Sequence, residues 1–424
     1  MKKLLALLLA AVMVLSLAAC SKDEPETTEP STEASTDPTD STDVPTDVPT
    51  GTLPTEPGEG VLTKVSYTAS GDDLLAQSAN VVATVGDREL TVGQLQIYYW
   101  MNFYDFLNNY SYYLSYFGLD YTVPLDEQAC MEMEVGSWQH YFLDSALNSW
   151  HNYQALAIKA EQNGTKIDED LQKELDELKT AMETSATEKE YESVDAMLQA
   201  EIGPGVTYQD YYAYLDVYYT GYSYFLEQYD ALEITDDMIQ EYFTENEAAL
   251  SESGVTKDSG DLVDARHILI GIEGGTEDEE GNVTYSDEDW EACRVKAQAL
   301  LDQWKAGEAT EDSFAALAVE HSEDTGSSSN GGLYESLNDE TNFVEEFKAW
   351  YLDESRQVGD TGLVKSTYGY HIMYYSAAEA EWIRTCRNAL IDEKVAAFID
   401  EANEAYPLTP IYENIVLGHV DLGA

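Results

Sequence analysis

Seven of the chain's eleven prolines fall between Pro25 and Pro57, spread through a run of Thr, Ser, Asp and Glu with almost no aliphatic residue. Such a stretch has too little apolar surface to offset the entropy of ordering its backbone. Ser21 to Gly60 therefore reads as a tether, and any folded body must be built from residues beyond Gly60. As a flexible coil the tether reaches roughly 35 Å, and as extended polyproline II at most ~120 Å. A chain of 424 residues leaves room beyond it for two or three domains with real cores.

Ahead of the tether, Lys2 and Lys3 precede an apolar run from Leu4 to Ala19 that is short for a membrane span and right for a signal-peptide core. Leu17-Ala18-Ala19-Cys20 then has the form of a bacterial lipobox, in which Cys20 is acylated and becomes the mature N-terminus. An ordinary secretory signal with an incidental cysteine is the competing reading. The remaining cysteines, Cys130, Cys293 and Cys386, are odd in number and lack metal-ligand spacing, so they read as small apolar core residues, with one disulfide left open. With 21 basic against 82 acidic residues the net charge is -61, which would repel nucleic-acid phosphate.

Folding is expected to begin near Asn80, where Val81 to Val85, a Gly86-Asp87 turn and Arg88 to Thr91 read as two strands, with Thr91 placed to cap a helix from Val92. From Gln94 to Tyr229 the pattern is helical and rich in tyrosine. Tyr211, Tyr214, Leu215, Tyr218, Tyr222, Phe225, Leu226 and Tyr229 recur at spacings of three and four, along one helix face. That stripe is either ordinary core or a cradle for extended polypeptide, since tyrosine joins apolar area to a hydroxyl. Helices come again from Ile234 to Leu250 and from Ala377 to Ala405, and Ile411 to Val420 is β-prone.

Between these helices, periodicity over 263–376 gives strand, long helix, shorter helix, strand, helix and two strands. Trp290, Ala297, Leu300, Leu301 and Trp304 form the stripe of the first helix, and Phe314, Leu317 and Ala318 that of the second. Thr361 to Ser376 reads as a hairpin with His371 on its second strand.

Taken in order, Arg266-His267-Ile268-Leu269, Phe314 to Asp324, Gly331-Gly332-Leu333, Phe343 with Phe347, and Tyr368-Gly369-Tyr370-His371-Ile372 resemble the parvulin family of peptidyl-prolyl cis/trans isomerases. The opening from Val81 to Thr91 resembles extracytoplasmic foldases of the PrsA and SurA type. The resemblance implies an α+β chain: a mainly helical chaperone-like domain over 81–262, completed by 377–424, with a parvulin domain over 263–376 inserted as an antiparallel sheet surrounded by helices. Residues 1–20 are then a lipoprotein signal peptide and 21–80 a disordered acidic tether.

The same resemblance implies a proline slot of Leu333, Phe343 and Phe347, with Phe343 where methionine is frequent. It puts His267 and His371 on the family's two histidines, Asp324 beside the isomerising amide, and Ser366 and Tyr368 at nearby polar positions. No cofactor and no metal are implied, because rotating an Xaa-Pro bond breaks no bond; His267, His321, His371 and Asp324 are scattered rather than paired as ligands. The expected partners are unfolded exported polypeptides containing Xaa-Pro bonds, with the membrane engaged through the lipid on the extracytoplasmic face of a Gram-positive bacterium. Dimerisation is left open.

Two departures stand out. The family pattern Gly-Gly-Asp-Leu-Gly is here Gly-Gly-Leu-Tyr, which suggests a shortened strand and a reshaped slot. The loop from Gly271 to Trp290 is acidic, where members that select phosphorylated substrates are basic, so no phosphate preference is expected. The alternative to an isomerase is a lipoprotein chaperone whose parvulin domain has lost its activity.

Overall fold

The computed structural model describes residues 66–69, 71–110, 118–120, 123–130, 136–277 and 283–418. The expected signal peptide, Cys20 and the Pro-rich part of the expected tether lie outside them. The chain divides into two units, one comprising Ile234–Ile391 and the other the described residues on either side of it. Among the described residues no helix is long and apolar enough to cross a membrane.

The discontinuous unit begins with β1 (Ser66–Ala69) and α1 (Gly71–Gln77). Folding thus starts before Asn80: Leu74 is fully buried. A single apolar pair, Leu74-Leu75, carries little periodic signal, so only the tertiary partner reveals this helix. The hairpin β2 (Val81–Val85) and β3 (Arg88–Thr91) comes next, and then α2 (Val92–Tyr110). Thr91 Oγ1 accepts the Gln94 N–H and the Gln94 side chain accepts the Thr91 N–H, closing the first turn of α2 from both sides.

Three further helices are α3 (Trp138–Asn163), α4 (Glu169–Glu188) and α5 (Val194–Glu201), and α6 (Tyr208–Asp230) carries the tyrosine stripe. Leu95, Tyr99, Phe103, Trp138, Phe142 and Trp150 bury completely or nearly so between α2 and α3. Along α6 the rings form a ladder, with Tyr214, Tyr218, Tyr222, Phe225 and Tyr229 stacked in succession at 5.8–6.3 Å. Its first ring, Tyr214, is buried, the next ones are half-buried, and its last, Tyr229, is 42% exposed.

In the second unit α7 (Asp236–Glu252) leads to β4 (Asp261–Gly271), a short hairpin of β5 (Thr276–Glu277) and β6 (Val283–Thr284), α8 (Asp287–Ala306) and α9 (Glu311–His321). Then come β7 (Leu333–Leu337), α10 (Glu345–Tyr351), β8 (Thr361–Ser366) and β9 (Gly369–Ala380). Apart from the short β5–β6 hairpin, the order is the one periodicity predicts. The sheet runs β7-β4-β9-β8, antiparallel throughout. One face, with Ile268, Ile270, Ile372 and Tyr374, takes Cys293, Ala297, Leu301 and Trp304 of α8 and Phe314 and Ala318 of α9. The other, with Val263, Ala265, Met373 and Tyr375, takes Phe347, Trp350 and Tyr351 of α10.

The end of the acidic loop is not loop. Asp287, Glu288 and Asp289 form the first turn of α8, where Ser286 and Asp289 make a capping box and the carboxylates complement the helix dipole. After β9 the chain enters α11 (Glu381–Ala405), whose first half shares an apolar cluster with α7 through Cys386 and Leu390. Its second half places Phe398 and Ala402 against Ala155 and Leu156 of α3. Finally β10 (Leu408–Pro410) joins β2, and β11 (Val416–Gly418) pairs in parallel with β1. Cys293 and Cys386 are free and buried, and Cys130 is buried as well.

Candidate active site

The α10-facing side of the sheet carries both histidines. In the β4–β9 register His267 lies opposite Met373 and His371 opposite Leu269, so alternation puts the two imidazoles on one face in neighbouring strands. Both side chains are buried, and their Nδ1 atoms are 3.0 Å apart. His267 Nε2 is 2.9 Å from Asp324 Oδ2, and His371 Nε2 is 2.7 Å from Ser366 Oγ.

The acid at the end of this line sets its proton order. The hydrogen bond from His267 is the largest influence holding the Asp324 carboxyl well below the usual range; partial burial opposes it, and the Ser327 and Tyr334 hydroxyls reinforce it. A carboxylate only accepts, so His267 carries its proton on Nε2 and presents a bare Nδ1. His371 then donates from Nδ1 and accepts the Ser366 hydroxyl at Nε2. Burial is the main influence lowering the His371 pKa, to about 4, which keeps that imidazole neutral. The Ser366 oxygen in turn accepts the Tyr368 N–H at 3.1 Å.

Asp324 follows α9 in a loop whose backbone is tied down, its carbonyl accepting the Ser328 N–H at 2.9 Å. Its Oδ2 receives three donors: His267 Nε2–H, the Ser327 hydroxyl in a short contact, and the Tyr334 hydroxyl at 3.0 Å. The strand edge comes this close because Gly332 lets it. A Cβ there would stand 2.1 Å from the His267 carbonyl, and φ is +72°.

Beside the network stands an aromatic wall. The Phe343 and Phe347 rings are 4.9 Å apart, and Tyr334 meets Phe343 edge-on at 4.8 Å. Phe347 stands edge-on to His267 at 5.1 Å and to His371 at 5.3 Å. Phe347 is buried while Phe343 is only half-buried, so the wall has an open side. This arrangement offers a small apolar ring a surface next to an anion and a line of hydrogen bonds.

Of the residues expected from sequence, His267, Asp324, His371, Ser366, Phe343 and Phe347 come together. Leu333 does not. It lies opposite Arg266, on the face of Ile268 and Tyr374, whereas Tyr334 lies opposite Ala265 on the face of the histidines. The signal was available: in Gly-Gly-Asp-Leu the leucine is the second residue after the glycines, and here that residue is Tyr334. Matching by residue type slips the register by one. Tyr368 contributes its backbone alone, its side chain being 64% exposed. Ser327 was missed, and one serine in the run Ser327-Ser328-Ser329 carries no signal of its own.

Residues 249–377 match the family model of the PPIC-type PPIASE domain, and this segment is a domain of that kind. No curated protein matches the chain in sequence. Among solved structures, PrsA from Bacillus subtilis is similar over 66% of this chain and 91% of its own, at 20% identity and a TM-score of 0.30. One of the SurA-like chaperones of Campylobacter jejuni aligns over 77% of this chain and 96% of its own, at 16% identity and a TM-score of 0.21. The peptidyl-prolyl isomerase ESS1 from Candida albicans covers 32% of this chain and 76% of its own, at 20% identity and a TM-score of 0.21.

Proposed function

We propose that the chain is a membrane-anchored peptidyl-prolyl cis/trans isomerase and foldase that assists exported polypeptides. The barrier to turning an amide is about 18–20 kcal/mol, and an uncatalysed Xaa-Pro bond takes tens of seconds or longer. Catalysis asks only that the twisted amide be bound better than either planar form. The observation that carries the reading is the unbroken line Ser366–His371–His267–Asp324 lying against Phe343 and Phe347. In this reading the rings seat the proline, Asp324 lies beside the rotating amide, and the two imidazoles hold Asp324 without a proton having to move.

The catalytic part is residues 263–376, the helical part binds clients, and acylated Cys20 holds both at the membrane by a flexible tether. A non-catalytic chaperone is the second reading. The ring ladder of α6 favours it, since its outer end offers uncovered aromatic surface to an extended chain.

Xaa-Pro exchange in a short unphosphorylated peptide, followed by NMR with the full chain and its Asp324→Ala and Phe343→Ala variants, separates the two. Faster exchange that is lost in both variants supports the isomerase. No acceleration by a folded wild-type chain leaves the chaperone reading, with the α6 ladder as the surface to map.

A further inference from the structure

We propose that Tyr334 is a positioning residue of this site, its hydroxyl orienting the Asp324 carboxylate while its ring closes the proline slot, and that Gly326 is glycine in order to admit that hydroxyl. The proposal rests on the isomerase reading of the site.

The phenol oxygen donates to Asp324 Oδ2 at 3.0 Å. The ring completes the wall, edge-on to Phe343 at 4.8 Å and tilted over His267 at 5.6 Å. A leucine, the residue the family pattern has at this place, could supply the wall and not the hydrogen bond. Asp324 has need of it, because its side chain is 22% exposed and water competes for its oxygens. With three donors on one oxygen, the carboxylate plane is fixed; with His267 and Ser327 alone, approaching from β4 and from its own loop, the open side is unrestrained.

Gly326 gives the independent sign. Its backbone is not in the left-handed region, so conformation does not demand glycine. Space does: a Cβ at this position would stand 2.8 Å from the Tyr334 hydroxyl oxygen, closer than real Cβ contacts come, with the Asp324 oxygens next at 3.6 and 3.9 Å. An alanine there would push the phenol off the carboxylate and disturb little else.

Three variants of the full chain test this: Tyr334→Phe, Gly326→Ala and the two together. One readout does not depend on turnover. Removing a donor from Oδ2 strengthens the remaining His267 Nε2–H bond, so its proton resonance at neutral pH moves downfield in Tyr334→Phe and equally in Gly326→Ala. The other is exchange of the peptide, where Tyr334→Phe lowers kcat about tenfold, as for the loss of a hydrogen bond to a charged group, and leaves KM within about twofold because the ring remains. Tyr334→Leu, by contrast, raises KM. The double variant is no worse than Tyr334→Phe, since both changes act through one contact.

An unmoved His267 resonance in Tyr334→Phe overturns the proposal, and so does a Gly326→Ala effect that adds in full to that of Tyr334→Phe. Absence of exchange in the wild type sinks the isomerase reading by itself; the resonance then decides the Tyr334–Asp324–Gly326 arrangement.

Discussion

His371 and Asp324 are held away from their ordinary titration in the same thermodynamic direction. The His371 pKa falls from 6.5 to about 4 on folding, so between those limits the unfolded chain binds a proton that the folded site refuses. Stability of the sheet-bearing unit is therefore full above about pH 6.5 and declines toward pH 4, by on the order of 3 kcal/mol. Asp324, lowered chiefly by its bond from His267, adds a further loss only once pH falls below the ordinary carboxylate value of 3.8. Urea midpoints measured from about pH 7 to about pH 4.5 should fall in the wild type and fall less in His371→Gln, which has nothing to titrate there. Equal slopes would show that other groups govern the window. At this scale the histidines, the acid and Phe347 were legible because each keeps its residue type and its place in order, and Phe343 because it keeps its place and its apolar character. Tyr334 was not, because a leucine stood one residue away, and in a strand one residue is the other face.

Among elements, the β8–β9 hairpin is the most tightly specified. Gly369 has φ +143°, and a Cβ there would stand 2.1 Å from the Ile270 carbonyl, so β4 and β9 could not close their shared end. Gly369→Ala should cost about 3 kcal/mol or more, read as a lower denaturation midpoint of this unit, and should abolish exchange with it. A variant of near wild-type stability would mean that the hairpin end adjusts. The helices of this unit could be read from their stripes and caps. The acidity ahead of α8 was read correctly as charge and only in part as loop, since three of its carboxylates sit at a helix N-terminus. Phosphate would meet those charges, so a phosphorylated Ser-Pro peptide should exchange no faster than its plain counterpart in the same NMR assay. Where sequence fell short was α1, whose short apolar content becomes informative only with its packing partner in place, and the outer rings of α6, whose cover depends on tertiary neighbours.

For the whole molecule the dominant fact is a net charge of -61. Carboxylates that outnumber their cations repel one another in the folded state, and salt shortens the reach of that repulsion to about 10 Å at 0.1 M. Thermal unfolding should accordingly move to higher temperature as salt rises from about 10 mM to about 150 mM; a fall would show that ion pairs such as Arg266–Glu311 and Arg384–Asp264 outweigh the repulsion. The pairing of β1 with β11 and of β2 with β10 has a consequence in time. Strands laid down near residues 66 and 81 wait for partners near residues 416 and 408, so a ribosome delivers the whole PPIC-type segment before the helical unit can be sewn shut. The unit that starts first finishes last, and its long-range strand pairs set a slow step that the self-contained sheet between them does not share.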